Sequence, residues 1–369
     1  MTTCLENSDL YTVAWIAALG IEQAAALALL DDHHSPPKSF IQPSSDTNSY
    51  EWGEVSGHNI VIASLPAGSY GNTSAATTAS ALIHTFPHIR IGLLVGIGGG
   101  IARPDLGQDV RLGDIVVSQP DWTSGGVIQY DFGKAKSNGV WERKGYLDKP
   151  PMVLLNVLTR LRARHEISPS KIPALLQAML EANPRIRRQK TDYRHQGSET
   201  DRLFKSQHDH FGGISCNMCN SAWEIKRQGR ESTEPELHYG IIASGNRLIK
   251  DAATRDKLSE DTGHRCLCIE MEAAGLMDCF PCLVIRGICD YADSHKNDRW
   301  QRYAAATAAA FAVELLGDVP TADLKRTRTA IEALQGCKYR SNLKMNQSPY
   351  TNYQYNTGAK SGSNRVSYD

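Results

Sequence analysis

The chain has 369 residues, with 40 basic and 40 acidic side chains and a formal net charge of zero. That balance argues against nucleic acid or an anionic membrane surface as the main partner. No apolar run is long enough to span a bilayer, and the opening MTTCLENSDLYTV lacks the basic and apolar regions of a secretory signal. Nine cysteines are present, an odd count with five between Cys266 and Cys289, which fits buried free thiols in a reducing compartment and predicts a cytoplasmic protein.

In chain order, residues 1–10 read as a short tail. Tyr11–Leu19, apolar with β-branched and aromatic members, predicts a strand, and the Ala/Leu-rich Ile21–Leu30 a helix. Residues 31–57 are polar and rich in Pro and Ser, as in a loop or hairpin before the strand Asn59–Leu65. A turn at Gly68–Asn72 precedes an Ala/Thr-rich helix reaching His84, with Thr73 or Ser74 as its cap. Ile91–Val95 is wholly apolar, as a buried parallel strand should be, and ends in the glycine cluster Gly96–Gly100. Leu112-Gly113-Asp114 turns into the strand Ile115–Ser118, and Pro150-Pro151 opens a helix over Met152–Arg164 that is followed by another over Ile172–Ala182. Residues 183–237 hold many charges and few apolar residues, and read as an insertion packed on the sheet edge. The strand–helix rhythm resumes at His238–Ser244, continues through Lys250–Thr262 and ends in an Ala-rich helix over Arg299–Leu316. From residue 320 the chain turns polar and aperiodic, the composition of a disordered tail. The alternation predicts an α/β fold: a single three-layer α/β/α domain over residues 11–319 with a mixed, mostly parallel central sheet.

Chemistry concentrates between Cys268 and Asp293. Glu270 and Glu272 end one apolar run, and Asp290 ends the next. If both runs are strands of one parallel sheet, these acids collect at its carboxyl edge, where open α/β sheets bind ligands. Singly, each has an ordinary role: Glu272 and Glu22 as first-turn helix acids, Asp290 as the cap of a turn. Acids at three strand ends together are harder to explain that way. The cluster Gly96–Gly100 fails the dinucleotide-binding pattern, because Ile101 stands at the third required position and Pro104 follows. It leaves a tight turn or a close approach of backbone to a ligand, with Gly98 and Gly99 as the candidates. Cys216-Asn-Met-Cys219, after His208 and His210, has the spacing of half a zinc site, with Cys216, Cys219 and His210 as candidate ligands, although no metal is the expectation. The pair Cys279 and Cys282 lies in apolar context and reads as core thiols. The basic run from Arg185 to Lys205 is a solvated face or a grip on a phosphorylated substrate; Lys296 and Arg299, beside the acidic stretch, are better placed for that grip.

Six blocks in order carry a resemblance: Ala17–Glu22, VGIGGGI at 95–101, LGDIVVS at 112–118, IASGNRLI at 242–249, IEMEAAG at 269–275 and VIRGICDYAD at 284–293. Over residues 11–316, insertion aside, the chain resembles the nucleoside phosphorylase and nucleosidase superfamily, in particular its stand-alone or fused fungal domains. It is also similar to methylthioadenosine/S-adenosylhomocysteine nucleosidases and to immune effectors that cleave adenine from ATP. The resemblance implies that Asp290 protonates the purine at N7 and Glu22 activates water. It implies that Met271 and Glu272 line the ribose and hold its hydroxyls, that Leu248 and Ile249 flank the base, and that Glu270 supports Met271 or pairs with Arg286. Phosphorylases of the superfamily carry an arginine before the glycine block and another after the first strand. Here the first position is Leu94, no arginine occurs between Tyr11 and His58, and Ile97 replaces a hydroxyl residue. An anionic nucleophile has little to hold it and Glu22 would repel it, so water is the expected nucleophile. A pocket of Ile288, Cys289 and Tyr291 is expected to keep Asp290 protonated. The implied activity is hydrolysis of a purine nucleoside or nucleotide, ATP favoured, without a cofactor, by a homodimer or larger homo-oligomer. The alternatives are a phosphate-dependent phosphorylase and a non-catalytic nucleotide-sensing module.

Overall fold

Strands of aliphatic and β-branched residues alternate with small-residue helices through the chain that the computed structural model describes, residues 2–137, 141–188, 190, 192–213, 215–280 and 282–335. In order these are β1 (Thr3–Cys4), β2 (Val13–Ala17), α1 (Gly20–Leu27), β3 (Asp32–Ser35), β4 (Tyr50–Val55), β5 (His58–Ser64), α2 (Asn72–Thr85), β6 (Ile91–Gly100), β7 (Ile115–Ser118), β8 (Val127–Gln129), β9 (Gly133–Ala135) and β10 (Trp141–Arg143). They continue with α3 (Met152–His165), α4 (Ile172–Ala182), β11 (Leu237–Ser244), α5 (Ala252–Asp261), β12 (Cys266–Glu270), α6 (Ala273–Leu276), β13 (Cys282–Asp290), α7 (Gln301–Gly317) and α8 (Thr321–Arg326).

Eleven strands make one sheet in the order β1-β3-β4-β5-β2-β6-β12-β11-β7-β13, with β8 beside β11. Seven of its eleven pairings are parallel, so the sheet is mixed and mostly parallel as expected. The sheet also closes on itself at one end, because β13 pairs with β6 as well as β7 and joins β6, β12, β11, β7 and β13 into a ring. The glycines allow that closure. β6 does not stop at Val95: Gly92 to Gly99 runs parallel to β13, with a bulge before Asp290, while Gly99 and Gly100 also pair antiparallel with β12. A run without side chains is the least costly place for a strand to change partners.

Strand pleating sorts the apolar residues onto two faces. Val13, Trp15, Ile60, Ile62, Leu93 and Val95 pack with α1, α3, α4 and α7. Ala14, Ile16, Val61, Ala63 and Leu94 face the other way, against Ala75, Ala79 and Leu82 of α2 and Leu276 of α6. Helix α7 is buried along nearly its whole length, which its alanines permit. It lies so close to β13 that a Cβ on Gly287 would stand 1.8 Å from the carbonyl oxygen of Ala304.

Several boundaries move. Residues 2–10 are no tail, since β1 pairs with β3 and Ser8–Leu10 forms a turn of 3-10 helix capped by Asn7. The 31–57 segment contributes two strands to the sheet. Helix α2 begins at Asn72 behind Gly71, at φ 93°, rather than behind a hydroxyl cap. The domain continues past 319: α8 follows, Leu324 and Ala330 are buried, and Ala330 N–H donates to Ile89 O at 2.7 Å. Residues 336–369 of the expected tail lie outside the described residues.

The insertion packs over the end of β13 and the start of α7 as well as on the sheet. Arg227 donates to Tyr291 Oη at 2.8 Å, and Trp300 Nε1 donates to Thr200 Oγ1 at 3.1 Å. Its anchor is the buried Asp114, which accepts from Arg230 at 2.6 and 2.8 Å, His238 at 2.9 Å and Arg111 N–H at 2.8 Å. The basic run follows the solvated-face reading at Arg194, exposed and paired with Asp192, and at Lys205, exposed over Trp223, whereas Arg202 turns inward to Glu224.

The β13–α7 contact generates a prediction. Gly287→Ala drives a methyl into backbone that cannot rotate away, and should cost about 3 kcal/mol or more in a urea titration. A loss below 1 kcal/mol would show that α7 can slide off β13.

Candidate active site

A guanidinium sits in the middle of an apolar strand. Arg286 of β13 is 1% exposed and needs a full set of counter-charges. Its Nη2 donates to Glu270 Oε2 and, at 3.4 Å, to Glu272 Oε2, while Nη1 donates to Ile97 O at 3.4 Å. Glu22 is a further counter-charge. Burial alone would lower the Arg286 pKa, but Glu270, Glu272 and Glu22 together hold it above the ordinary arginine value.

Each acid is set by its own element. Glu270 ends β12, and its carboxylate accepts from the N–H groups of Glu272 and Ala273, both at 3.0 Å, fixing the turn into α6. Glu272 is 6% exposed, and Gly71 N–H at the start of α2 points at its Oε1 from 3.4 Å. Burial first, then Glu270 and Glu22, push its carboxyl up to about 7 against the opposing pull of Arg286. Glu22, in the first turn of α1, accepts from Ala18 N–H at 2.7 Å and Leu19 N–H at 2.9 Å. The ordinary helix-acid role is therefore real, and Glu22 has a second one: its Oε1 crosses to accept from Ile97 N–H at 2.8 Å. Burial raises its pKa as well, with Arg286 and those backbone donors opposing.

The glycine cluster makes room for these groups. A Cβ at Gly96 would lie 2.4 Å from Glu22 Oε1 and 2.5 Å from Arg286 Nη1; one at Gly99 would lie 2.8 Å from Asp290 Oδ1. The backbone thus approaches charged side chains of the protein itself, a possibility the sequence reading did not include. Gly98 is buried in the same run, its Cβ position facing Ile269 O at 3.1 Å.

Asp290 closes β13 at 4% exposure. Its Oδ1 accepts from Ala292 N–H at 2.8 Å; its Oδ2 accepts from Lys296 Nζ at 2.6 Å and Cys289 Sγ at 3.0 Å. Of the three residues expected to surround it with apolar contacts, Cys289 is a donor, Ile288 packs in the core with Val110 and Val284, and the Tyr291 hydroxyl is turned to Asp201 and Arg227. Lys296 is thus spoken for by Asp290, whereas Arg299 is exposed. Met271 is half-buried between Glu270 and Glu272. Leu248 is 57% exposed on the loop after β11 and Ile249 is buried against Ile101, Ile269 and Ala292. Arg247 and Lys250 point to solvent.

Sequence reasoning missed the polar groups that tie the starts of α2 and α6 to the end of β11. Ser244 Oγ accepts from Ala274 N–H at 2.8 Å and donates to Asn72 Oδ1 at 3.4 Å, and Asn246 Oδ1 accepts from Asn72 N–H at 3.0 Å. The signal was available, since Ser244-Gly245-Asn246 follows the apolar run of β11 just as the acids follow theirs. None of the four acids lines the cavity of about 730 Å3 that lies between residues 111–114, residues 224–235 and the rings of Trp300 and Tyr303.

The acids gather at the carboxyl ends of β12 and β13 and just beyond β2, beside the glycines of β6 and the start of α2. No family model matches the chain. It is 43% identical over 318 residues to a nucleotide-binding leucine-rich repeat (NLR)-like protein of Hyaloscypha variabilis, covering 86% of this chain and 30% of that protein. It is 24% identical over 314 residues to the ATP nucleosidase Cap17 of Escherichia coli (83% of this chain, 51% of the relative). It is also 24% identical over 276 residues to a 5′-methylthioadenosine/S-adenosylhomocysteine nucleosidase of Mycobacterium bovis (73% and 85%). The chain therefore spans about a third and about a half of the first two relatives' lengths. Among solved structures, the Neisseria meningitidis 5′-methylthioadenosine/S-adenosylhomocysteine nucleosidase in complex with methylthio-immucillin-A superposes with a TM-score of 0.52 at 17% identity, over 84% of this chain and 99% of that one. The futalosine hydrolase of Helicobacter pylori superposes at 0.51 and 16%, over 84% and 99%. The chain is thus similar in sequence to purine nucleosidases and shares the fold of the nucleosidase and hydrolase structures.

Proposed function

We propose that the chain is a purine N-ribosyl hydrolase that cleaves the N-glycosidic bond of an adenine nucleotide or nucleoside with water, ATP being the favoured substrate. The observation that carries this reading is the placement of Glu22 beside Arg286, with Asp290 on the same rim. In the reaction the bond between the sugar C1′ and the base N9 breaks and the water oxygen bonds to C1′. Glu22 takes a proton from that water, and Asp290 gives one to N7 of the departing base. The raised pKa of Glu22 makes it a better base, and its backbone donors hold it in place. Glu272 binds the ribose diol, with Met271 beside the sugar and Leu248 and Ile249 beside the base. Water is favoured over phosphate because the Arg286 charge is already shared among carboxylates, and the position of a phosphate-holding arginine is Leu94, fully buried in the core. The ATP preference draws on the Cap17 relative, since Lys296 is paired with Asp290 and Arg299 is exposed. The NLR-like relative favours a second reading, a nucleotide-sensing module within a larger protein.

Chromatography of ATP, adenosine, inosine and methylthioadenosine after incubation in phosphate-free buffer tests the proposal. Free adenine should appear, fastest from ATP. A strict requirement for phosphate would replace the hydrolase by a phosphorylase, and ATP binding without turnover would support the sensing module. Asp290→Asn and Glu22→Gln should each lower kcat by roughly 10²–10⁴-fold. Loss of only a few-fold in both would remove them from the chemistry.

Lys296→Met separates two roles. If Lys296 positions Asp290, kcat falls alike for ATP and adenosine with KM nearly constant, which is the expected result. A rise in KM confined to ATP would assign Lys296 to the phosphates instead.

Glu272 sets a pH dependence. Its carboxyl ordinarily titrates near 4.5 and is pushed up to about 7 in the fold. The folded state therefore keeps a proton that the unfolded chain releases, and this contribution to stability, complete below 4.5, falls as pH rises and is lost above about 7. Urea titrations across that window should show Glu272→Gln declining less than wild type; parallel curves would refute the assignment.

A further inference from the structure

A second convergence of reactive side chains lies beyond Asp290, where the insertion folds against the segment Tyr291–Trp300. The His210 Nδ1 atom is 3.3 Å from Cys219 Sγ and 3.9 Å from Cys216 Sγ. Cys219 lies beside the Cys216 thiol. Ligating atoms of His210, Cys219 and His295 all lie within 4.8 Å of one another. Zn–S bonds of about 2.3 Å and Zn–N bonds of about 2.0 Å at tetrahedral angles separate sulfur from nitrogen by about 3.5 Å. The two measured sulfur–nitrogen distances bracket that value.

The ring nitrogens have the polarity such a site requires. His210 Nε2 is 3.1 Å from Gly213 O, so that nitrogen carries the proton and Nδ1 offers its lone pair to the thiols' side. His295 Nε2 faces His208 Nδ1 at 3.2 Å, while His295 Nδ1 is buried without a hydrogen-bond partner. The frame around these groups is rigid. Arg202 donates to Cys216 O and, at 3.3 Å, to Cys219 O; Phe204 stacks on the His295 ring at 4.1 Å; and His210 N–H donates to Ser294 Oγ at 2.9 Å. The cluster of Asp114, Glu236 and His238, in contrast, already holds the Arg230 guanidinium.

We propose that Cys216, Cys219, His210 and His295 bind a structural zinc ion, His295 through Nδ1. Two thiols lose their protons on binding, two neutral imidazoles complete the shell, and the resulting site is neutral and leaves no position for a reacting water. Hydrogen bonds from the outer nitrogens, to Gly213 O and to His208, supply the second shell. Three ligands come from the insertion and the fourth from the segment that also carries Lys296, the partner of Asp290. The ion therefore staples the insertion to the loop that follows the proposed catalytic acid. Asp293 Oδ2 stands 3.5 Å from His295 Nδ1, on the same segment.

The test is metal analysis of the full chain purified without chelator, with cobalt(II) substitution as a second readout. Expected are one zinc per chain retained through desalting and, with cobalt, the thiolate charge-transfer and tetrahedral ligand-field bands. Cys219→Ser and His295→Ala should lose the bound metal, while His208→Ala should keep it. If the variants fail to fold, the cobalt spectrum of the wild type decides. Wild-type protein that carries no zinc and, once reduced, shows no thiolate–cobalt band would overturn the proposal, as would zinc content unchanged in both ligand variants. Because metal content is read independently of turnover, the result stands whether or not the chain proves to be a nucleosidase.

Discussion

The structure depends on one buried guanidinium. Arg286 lies inside the strand that carries Asp290, so its charge must be neutralised by side chains that other elements bring to it. Removing one partner from a buried ion pair typically costs about 3–5 kcal/mol, because the remaining charge is left without compensation. That constraint explains features that look unrelated in the chain. Position 96 must be glycine because Glu22 and Arg286 occupy the space of its side chain. Glu270 is spent on Arg286 and on the turn into α6, which frees Glu272 from a purely structural task.

The same array sets the electrostatic character of the site. Carboxylates Glu22, Glu270 and Glu272 share one arginine, so two of them carry their charge at a cost, and burial raises the pKa of Glu22 and Glu272. This surplus of negative charge is what the proposed reaction requires, since it favours an electron-poor sugar over an anionic nucleophile. Lys296 adds a positive charge, but at Asp290, on the side the proposed reaction gives to the base.

The insertion belongs to the same arrangement. Arg227 and Asp201 hold Tyr291, Arg255 bonds Tyr291 O at 2.9 Å, and His210 and His295 meet beside Ser294. The segment between β13 and α7 is gripped from both sides, so a group that would otherwise sit on a surface loop is held where it can orient Asp290.

Much of this was legible in the chain because local rules sufficed. The periodicities of Ile115–Ser118 and Ile172–Ala182 match the observed elements residue for residue, and the apolar runs ending in Glu270 and Asp290 are the strands they suggested. What failed locally failed for identifiable reasons. The glycine run was read as the end of a strand, because nothing in a stretch of glycines shows that it will pair with two partners; the short β1 and β3 have too few apolar residues to announce themselves. The sequence by itself determined the α/β alternation and the acids at strand ends, both properties of neighbouring residues. Only the tertiary structure decided that the strands close into a ring, that Glu22 reaches Ile97, that Arg286 unites three carboxylates and that Lys296 belongs to Asp290. Those outcomes turn on distances between residues far apart in the chain, and burial gives such distances their energetic weight.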